Sequence, residues 1–218
     1  MGMTTTRSLL VFGGTGQTGQ HFVRLALDAG HHVRVLARTP GKLTAVHDDL
    51  DVVQGSLDDD LDLGALLDGV DAVAMMVGDA AAQRSRQVNT GFVGSLVPAM
   101  RRGGTRRLLY QAGGLSAAPG TKLPLALQMV RSTIARGYIG QHEDNEAVMQ
   151  YLDAEARDIE WMVHRAGIGS DGLSKGELRR SSSSISIGTF VDCAAYNLEI
   201  LYDESAIHTC DGSAYARA

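Results

Sequence analysis

Short apolar runs alternate along the chain with stretches in which apolar residues recur every three or four positions. The runs are typical of buried parallel strands, and the spaced stretches are typical of amphipathic helices. The predicted strands are residues 9–12, 33–37, 50–53, 72–77, 108–110 and 161–164, with a last short strand at 207–209. The predicted helices are residues 21–29, 61–67, 84–102, 139–152 and 190–201, with a further helix start at Thr39-Pro40.

This alternation predicts an α/β fold, in which a doubly wound parallel sheet of Rossmann type is covered by helices on both faces. The absence of a linker or an internal repeat predicts a single domain over residues 1–218. Residues 115–137 and 167–184 depart from the regular pattern, and each follows the end of a predicted strand. Open α/β sheets bind ligands at this edge, so we expect the two segments to form the walls of a substrate pocket.

A glycine-rich loop joins the first predicted strand to the first predicted helix. Gly13, Gly16 and Gly19 allow the sharp turn and the close approach of backbone to ligand. The helix that follows directs its free N–H groups and its positive dipole end at an incoming pyrophosphate. Strand, loop and helix in this order predict a dinucleotide site, whereas the alternative is a glycine-rich turn of structural importance only. The residues predicted to contact the cofactor here are Gly13, Thr15, Gly16, Gln17, Thr18 and Gly19.

The end of the second predicted strand indicates which dinucleotide binds. Sites that prefer NAD usually carry an acidic residue here, which holds the 2′-hydroxyl of the ribose. This chain has Arg38 instead, which suits a 2′-phosphate, and Lys42 is near enough in sequence to assist. NADP(H) is therefore favoured over NAD(H), and the alternative is an arginine that is merely solvated at a strand end.

Composition and charge exclude several other classes of function. The net charge of −5 gives no basic surface for nucleic acid or for an anionic membrane. No apolar run approaches the ~18 residues that a membrane span needs, and residues 1–8 lack the apolar core of a signal peptide. Cys193 and Cys210 show no metal-ligand spacing, which predicts no metal site and fits a reducing compartment. These features predict a cytoplasmic protein whose partner is a small molecule.

Several motifs resemble the short-chain dehydrogenase/reductase superfamily, in its atypical branch of NmrA-like and biliverdin-reductase-B-like NAD(P)-binding proteins. They are VFGGTGQTG at 11–19, VLARTPGK at 35–42, QGSL at 54–57, Asp71-Ala72-Val73 leading to Val77-Gly78, and WMVHR at 161–165. The resemblance implies a sheet of seven or eight strands with a small C-terminal substrate region. It also implies an adenine beside residues 55–57 and a ribose over Gly78. Further predicted cofactor contacts are Ser56, Leu57, Val77, Gly78 and Gln111.

The catalytic positions depart from the pattern of this superfamily. Its active members carry a serine after the fifth strand and a Tyr-x-x-x-Lys motif, and this chain has neither at those positions. The best match is Tyr138 followed by His142 and Glu146, a spacing that predicts one helical face. Tyr138 would be the general acid, and His142 would do the work of the lysine, especially if protonated. The alternative is that both residues are pocket walls without a role in proton transfer.

The motifs together predict an NADP(H)-dependent oxidoreductase that transfers a hydride to or from a small or medium, largely apolar substrate. Two alternatives remain open: a cofactor-binding sensor without turnover, as some NmrA-like proteins are, and a non-redox enzyme such as an isomerase or a cyclase. The missing serine and lysine favour the sensor, whereas the glycine loop fits the oxidoreductase and the sensor equally. The superfamily includes monomers and homodimers, so a homodimer is one of two expected oligomeric states.

Overall fold

Six of the predicted apolar runs form six adjacent strands of an eight-stranded sheet. The computed structural model describes residues 6–216, so part of the segment 1–8 used to predict location lies outside the described residues. The sheet order is β3-β2-β1-β4-β5-β6-β10-β8, and β8 alone runs antiparallel to its neighbour. β7 and β9 pair separately. The strands are Ser8–Phe12 (β1), His32–Ala37 (β2), Leu50–Gln54 (β3), Ala72–Met75 (β4), Arg107–Gly113 (β5), Glu160–Ala166 (β6), Ile168–Ser170 (β7), Leu178–Ser181 (β8), Gly188–Thr189 (β9) and Cys210–Tyr215 (β10).

Helices cover both faces of the sheet, as the alternating pattern predicts. They are Gln17–Asp28 (α1), Leu63–Leu67 (α2), Val88–Gly103 (α3), Leu125–Ser132 (α4), Ile139–Glu155 (α5) and Phe190–Ile200 (α6). Apolar residues of α2, α3 and α5 form the core on one face, and those of α1 and α6 form the core on the other. The six strands from β3 to β6 follow the Rossmann order, which confirms the predicted fold class.

Two predicted elements are wrong. Residues 207–209 are a turn rather than a strand: His208 has a φ of 60°, and its amide donates to the carbonyl oxygen of Trp161 at 2.7 Å. The strand follows at Cys210, where small residues suit a position between two neighbouring strands. The pair Thr39-Pro40 starts only a single 3-10 turn, Pro40–Lys42, instead of an α-helix.

The two segments without a regular pattern contain elements that the sequence did not predict. Helix α4 lies within residues 115–137, and none of its side chains is buried in the core. Strands β7 and β8 lie within residues 167–184. In the described part of the chain, every helix is too short or too polar to cross a bilayer.

Candidate functional site

The glycine loop after β1 is shaped by backbone packing that leaves no room for side chains at two positions. Gly13 has a φ of +83°, and a Cβ there would lie 2.5 Å from the carbonyl oxygen of Met76. A Cβ at Gly19 would lie 2.1 Å from the carbonyl oxygen of Gly13. The loop therefore packs directly against the residue after β4 and against the first turn of α1.

Helix α1 begins immediately after Gly16, which has ordinary extended backbone angles and no side chain to cap the helix. The first N–H groups of a helix lack partners within the helix, and they carry its positive dipole end. Gly16 also lines a cavity of about 270 Å³ that extends along the ends of β1, β2 and β4. The wall of this cavity, hereafter the polar cavity, therefore includes a helix N-terminus, which is suited to bind an anion.

Two cationic side chains lie at one end of the polar cavity, where β2 and the turn after it form the wall. Arg38 directly follows this strand, Lys42 ends the next turn, and both side chains are exposed at the cavity wall. Nη1 of Arg38 lies 3.2 Å from Oδ2 of Asp79, which follows β4 on the opposite side. The backbone N–H of Ala82 donates to Asp79 and, with Arg38, lowers the pKa of this carboxyl group. Asp79 is therefore ionised, and its carboxylate forms a salt bridge with Arg38.

Most of the predicted cofactor contacts meet around this one cavity. Gln17 is exposed at the start of α1, and Thr18 and Gly19 are buried in its first turn, so these three do not form the wall. Gln111 lies instead in a second cavity. The predicted residues that do line the polar cavity are Gly13, Thr15, Gly16, Arg38, Lys42, Ser56, Leu57, Val77 and Gly78.

A second cavity of about 660 Å³, hereafter the apolar cavity, opens beside the first. The two cavities share Met76, Val77 and Gly78 at the end of β4. Gln141 of α5 stands at this junction, because a Cβ added to Gly78 would lie 2.7 Å from its Nε2 atom. The sequence did not single out Gln141. Most of the wall of the apolar cavity is aliphatic, from Leu115, Leu127, Val130, Ile134, Ile168, Ile185 and Ile187.

Both segments expected to form a substrate pocket supply walls to the apolar cavity. Helix α4 contributes Leu127 and Val130, and Arg131 of this helix makes two hydrogen bonds to Glu146 of α5, at 2.5 and 3.2 Å. Glu146 also accepts from the backbone N–H of Ala117 at 2.7 Å. The glutamate therefore ties α4 and the loop after β5 to α5.

His142 lines the apolar cavity and is 93% buried, since only 7% of its surface is exposed. Its Nδ1 atom lies 3.4 Å from Oγ of Ser116, and its Nε2 atom has no hydrogen-bond partner among residues 6–216. Burial, helped by the charge of Arg131, lowers the pKa of His142 to about 4, against a smaller opposing effect of Glu146. His142 is therefore neutral at neutral pH, so the expectation of a protonated substitute for lysine is wrong.

Tyr138 does not share a helical face with His142. Helix α5 starts at Ile139, and Tyr138 ends the preceding 3-10 turn, Arg136–Tyr138, so the predicted four-residue spacing does not run along one helix. The tyrosine is 53% exposed and is not in the wall of either cavity. A role for Tyr138 as general acid has no geometric support in the described residues.

Ser116 is a polar residue that the sequence pattern missed. Strand β5 extends to Gly113, three residues beyond its predicted end, so the serine that follows lies later than the family spacing suggests. Ser116 is completely buried, and its Oγ atom is 3.4 Å from both Nδ1 of His142 and Nδ2 of Asn145. Ser116 positions these two cavity residues without itself lining the cavity. A serine close after a β-strand was the available signal.

The polar cavity, with its helix N-terminus and glycine turn, has the form of a dinucleotide site. Comparison with known proteins gives the same result, because residues 13–189 match the family described as NAD(P)H-binding. The chain belongs to the NAD(P)H-binding family. This family membership confirms the predicted resemblance to NAD(P)-binding proteins, and the narrower NmrA-like and biliverdin-reductase-B-like branch stays a prediction.

A curated relative of this NAD(P)H-binding protein is an enzyme. The 3 beta-hydroxysteroid dehydrogenase/Delta 5-->4-isomerase of Mycobacterium tuberculosis is 37% identical over 113 residues. The alignment covers 47% of this chain and 30% of the relative. The chain thus spans about a third of the length of the curated relatives it matches.

Solved structures share the fold along nearly the whole chain. The oxidoreductase ylbE of Lactococcus lactis has a TM-score of 0.78 at 13% identity, covering 97% of this chain and 92% of that protein. A wide-type short-chain dehydrogenase/reductase of Veillonella parvula, solved in complex with NADP, has a TM-score of 0.70 at 16% identity, covering 95% and 94%. At these identities the similarity shows the Rossmann fold.

Proposed function

We propose that the protein is an NADP(H)-dependent oxidoreductase that acts on a small or medium, largely apolar carbonyl compound or the corresponding alcohol. One observation carries the proposal: a large apolar cavity adjoins the polar cavity, and residues 76–78 line both. A dinucleotide whose pyrophosphate lies at the start of α1 has room to extend toward this junction. A substrate in the apolar cavity then lies beside its reactive end.

The residues of the polar cavity fit the parts of NADP(H). The bare backbone of Gly13 and Gly16 and the uncapped start of α1 suit the pyrophosphate. Arg38 and Lys42 suit a 2′-phosphate, because guanidinium and ammonium groups form charge-assisted hydrogen bonds with phosphate oxygens. No acidic residue stands at position 38 to prefer a ribose hydroxyl. When bound, the cofactor supplies or accepts the hydride.

The apolar cavity would position the substrate and exclude water. Its aliphatic wall favours an apolar ligand, and its polar side chains, Gln111, Gln141, His142 and Asn145, lie among apolar neighbours. Hydrogen bonds are stronger in such a low-dielectric environment than in water. Neutral His142, with its free Nε2 atom, can donate or accept a hydrogen bond, according to its tautomer, without adding a charge. Positioning by these groups can carry catalysis without the usual tyrosine and lysine.

A sensor without turnover is the second candidate. It is favoured by the neutral state of His142 and by the exposed position of Tyr138, which leave the cavities without the proton-donating pair of active relatives. Absorbance at 340 nm separates the two functions when the protein is mixed with NADPH and a panel of ketones, enones and quinones. An oxidoreductase oxidises NADPH with at least one of them. Tight NADPH binding without any oxidation across the panel would favour the sensor.

Tyr138→Phe tests the role of the tyrosine in turnover. Because Tyr138 is half exposed and outside both cavities, we expect turnover within about twofold of the wild type, whereas loss of a general acid costs about 10²–10⁴-fold. Steady-state rates with the best substrate of the panel check this. Tyr151→Phe, on the far part of α5, is the matched control. A hundredfold loss of turnover in Tyr138→Phe, without a loss in Tyr151→Phe, would show that Tyr138 is the general acid.

A further inference from the structure

A chain of four polar side chains runs through the core to the wall of the apolar cavity. His164 of β6 is fully buried, with Nε2 2.8 Å from Oγ of Ser213 and Nδ1 2.6 Å from Oδ1 of Asn197. Nδ2 of Asn197 donates to Oε1 of Gln111 at 2.7 Å. Ser213 and Asn197 are also buried, and Gln111 is the member that reaches the cavity. Of these four residues, only Gln111 is also a predicted cofactor contact, and the other three take no part in the glycine loop or in the predicted cofactor contacts.

The direction of these hydrogen bonds follows from the requirement that buried donors find acceptors. Burial lowers the pKa of His164 to about 4, so the ring is neutral and carries one N–H group. If that hydrogen were on Nε2, Ser213 would accept it, and the serine hydroxyl hydrogen would have no acceptor among the described residues. If it is on Nδ1, Ser213 donates to Nε2 and His164 donates to Asn197, so the ring N–H group and the serine hydroxyl group both have acceptors.

This direction determines which end of the Gln111 amide faces Asn197. Asn197 directs its oxygen at His164, so the opposite end of its amide, the NH₂ group, faces Gln111 and donates to the oxygen of the glutamine. The NH₂ group of Gln111 makes no hydrogen bond to any of residues 6–216. A glutamine amide alone could present either end, but this one is held as a donor.

We infer that Gln111 is the hydrogen-bond donor that holds the carbonyl oxygen of the substrate, and that Ser213, His164 and Asn197 are positioning residues for it. The inference rests on the proposed function and deepens it, because it specifies an apolar ligand with an oxygen acceptor. During reduction of a carbonyl, negative charge would develop on the oxygen as the carbon takes up the hydride, and a fixed donor would stabilise that charge. Because a glutamine amide does not ionise, the oxygen would take its proton from water. A neutral donor would thereby take the place of the absent serine in holding the substrate oxygen.

The test compares ligands that differ only in the acceptor. trans-2-Decalone and 2-methylenedecalin have the same skeleton, and calorimetry on the NADP⁺-saturated protein measures their dissociation constants. The wild type should prefer the ketone by about three- to tenfold, the range for one neutral hydrogen bond. Gln111→Leu should remove this preference, and Gln150→Leu, at an exposed position of α5, should retain it. A preference that survives in Gln111→Leu overturns the inference.

Asn197→Asp tests the direction of the chain. A carboxylate at this position has no hydrogen to donate, so Gln111 must turn and donate to it, which presents the glutamine oxygen to the cavity. The ketone preference should then be lost, and trans-2-decalol should bind better than the ketone. If thermal melting shows that this variant is unfolded, Gln111→Glu, which offers acceptors only, should give the same reversal. An unchanged ketone preference in the folded variant contradicts the proposed direction.

Two further outcomes separate this inference from the proposed function. Gln111→Leu could weaken NADP⁺ binding and leave the ratio of the dissociation constants of the ketone and the alkene unchanged. In that case Gln111 donates to the nicotinamide carboxamide, and its assignment to the substrate is wrong. Ligand binding is measured without turnover. A protein that binds decalone through Gln111 but never oxidises NADPH would refute the oxidoreductase and retain the inference.

Discussion

Gly16→Val is expected to abolish cofactor binding while leaving the protein folded. The backbone of Gly16 has φ −77° and ψ 171°, which any residue adopts, and the nearest atom to an added Cβ is the carbonyl oxygen of Gly13 at 3.2 Å. The valine side chain would instead occupy the polar cavity in front of α1. We expect the dissociation constant of NADPH to rise by about 100-fold or more, because several charge-assisted hydrogen bonds to backbone N–H groups are lost.

NADPH fluorescence titration and thermal unfolding together check this result. The matched variant Gly19→Ala should differ, because its Cβ would lie 2.1 Å from the carbonyl oxygen of Gly13 and must displace the loop itself. We expect Gly19→Ala to lower the melting temperature, and Gly16→Val to keep it close to the wild-type value. Normal NADPH binding by folded Gly16→Val would show that the loop is only structural.

Arg38→Ala is expected to remove most of the preference for NADPH over NADH. A hydrogen bond to a charged group contributes roughly 1.5–3 kcal/mol, and the exposure of Arg38 favours the lower end of that range. The affinity for NADPH should therefore fall by about tenfold, since 1.4 kcal/mol corresponds to a factor of ten in affinity. The affinity for NADH should change little. Fluorescence titration with both cofactors measures the two constants, and equal affinities in the wild type would contradict the NADP(H) assignment.

Asp79→Asn provides the converse variant. The carboxylate of Asp79 pairs with Arg38 at 3.2 Å, so it competes with a 2′-phosphate for the guanidinium group. The asparagine oxygen can still accept the N–H of Ala82, which preserves the local turn. We expect tighter NADPH binding and unchanged NADH binding. The difference between the two cofactors should shrink with added salt, because exposed charges are screened.

The sequence predicted the parts of the fold that depend on local pattern. Buried strands such as β1 and β4 are nearly continuous apolar runs, and α3 repeats apolar residues on one stripe, so the sequence pattern alone located them. The loop at residues 13–19 was predictable because glycine is required by backbone geometry there. Strand β10 could not be predicted in this way, because its residues are mostly small or polar and form a strand only by pairing with β6 and β8 on either side. Helix α4 was missed because it buries no residue in the core.

By itself, the sequence determined the fold class, the dinucleotide loop and the position of Arg38, because each depends on residues close together in the chain. Only the tertiary structure decided which residues surround the apolar cavity and what state they are in. Burial beside Arg131 makes His142 neutral, and Tyr138, at the end of the 3-10 turn before α5, lies outside both cavities. The pairing of Gln111 with Asn197 joins residues 86 positions apart. Such contacts depend on how β5, β6 and α6 pack, and no spacing along the chain encodes them.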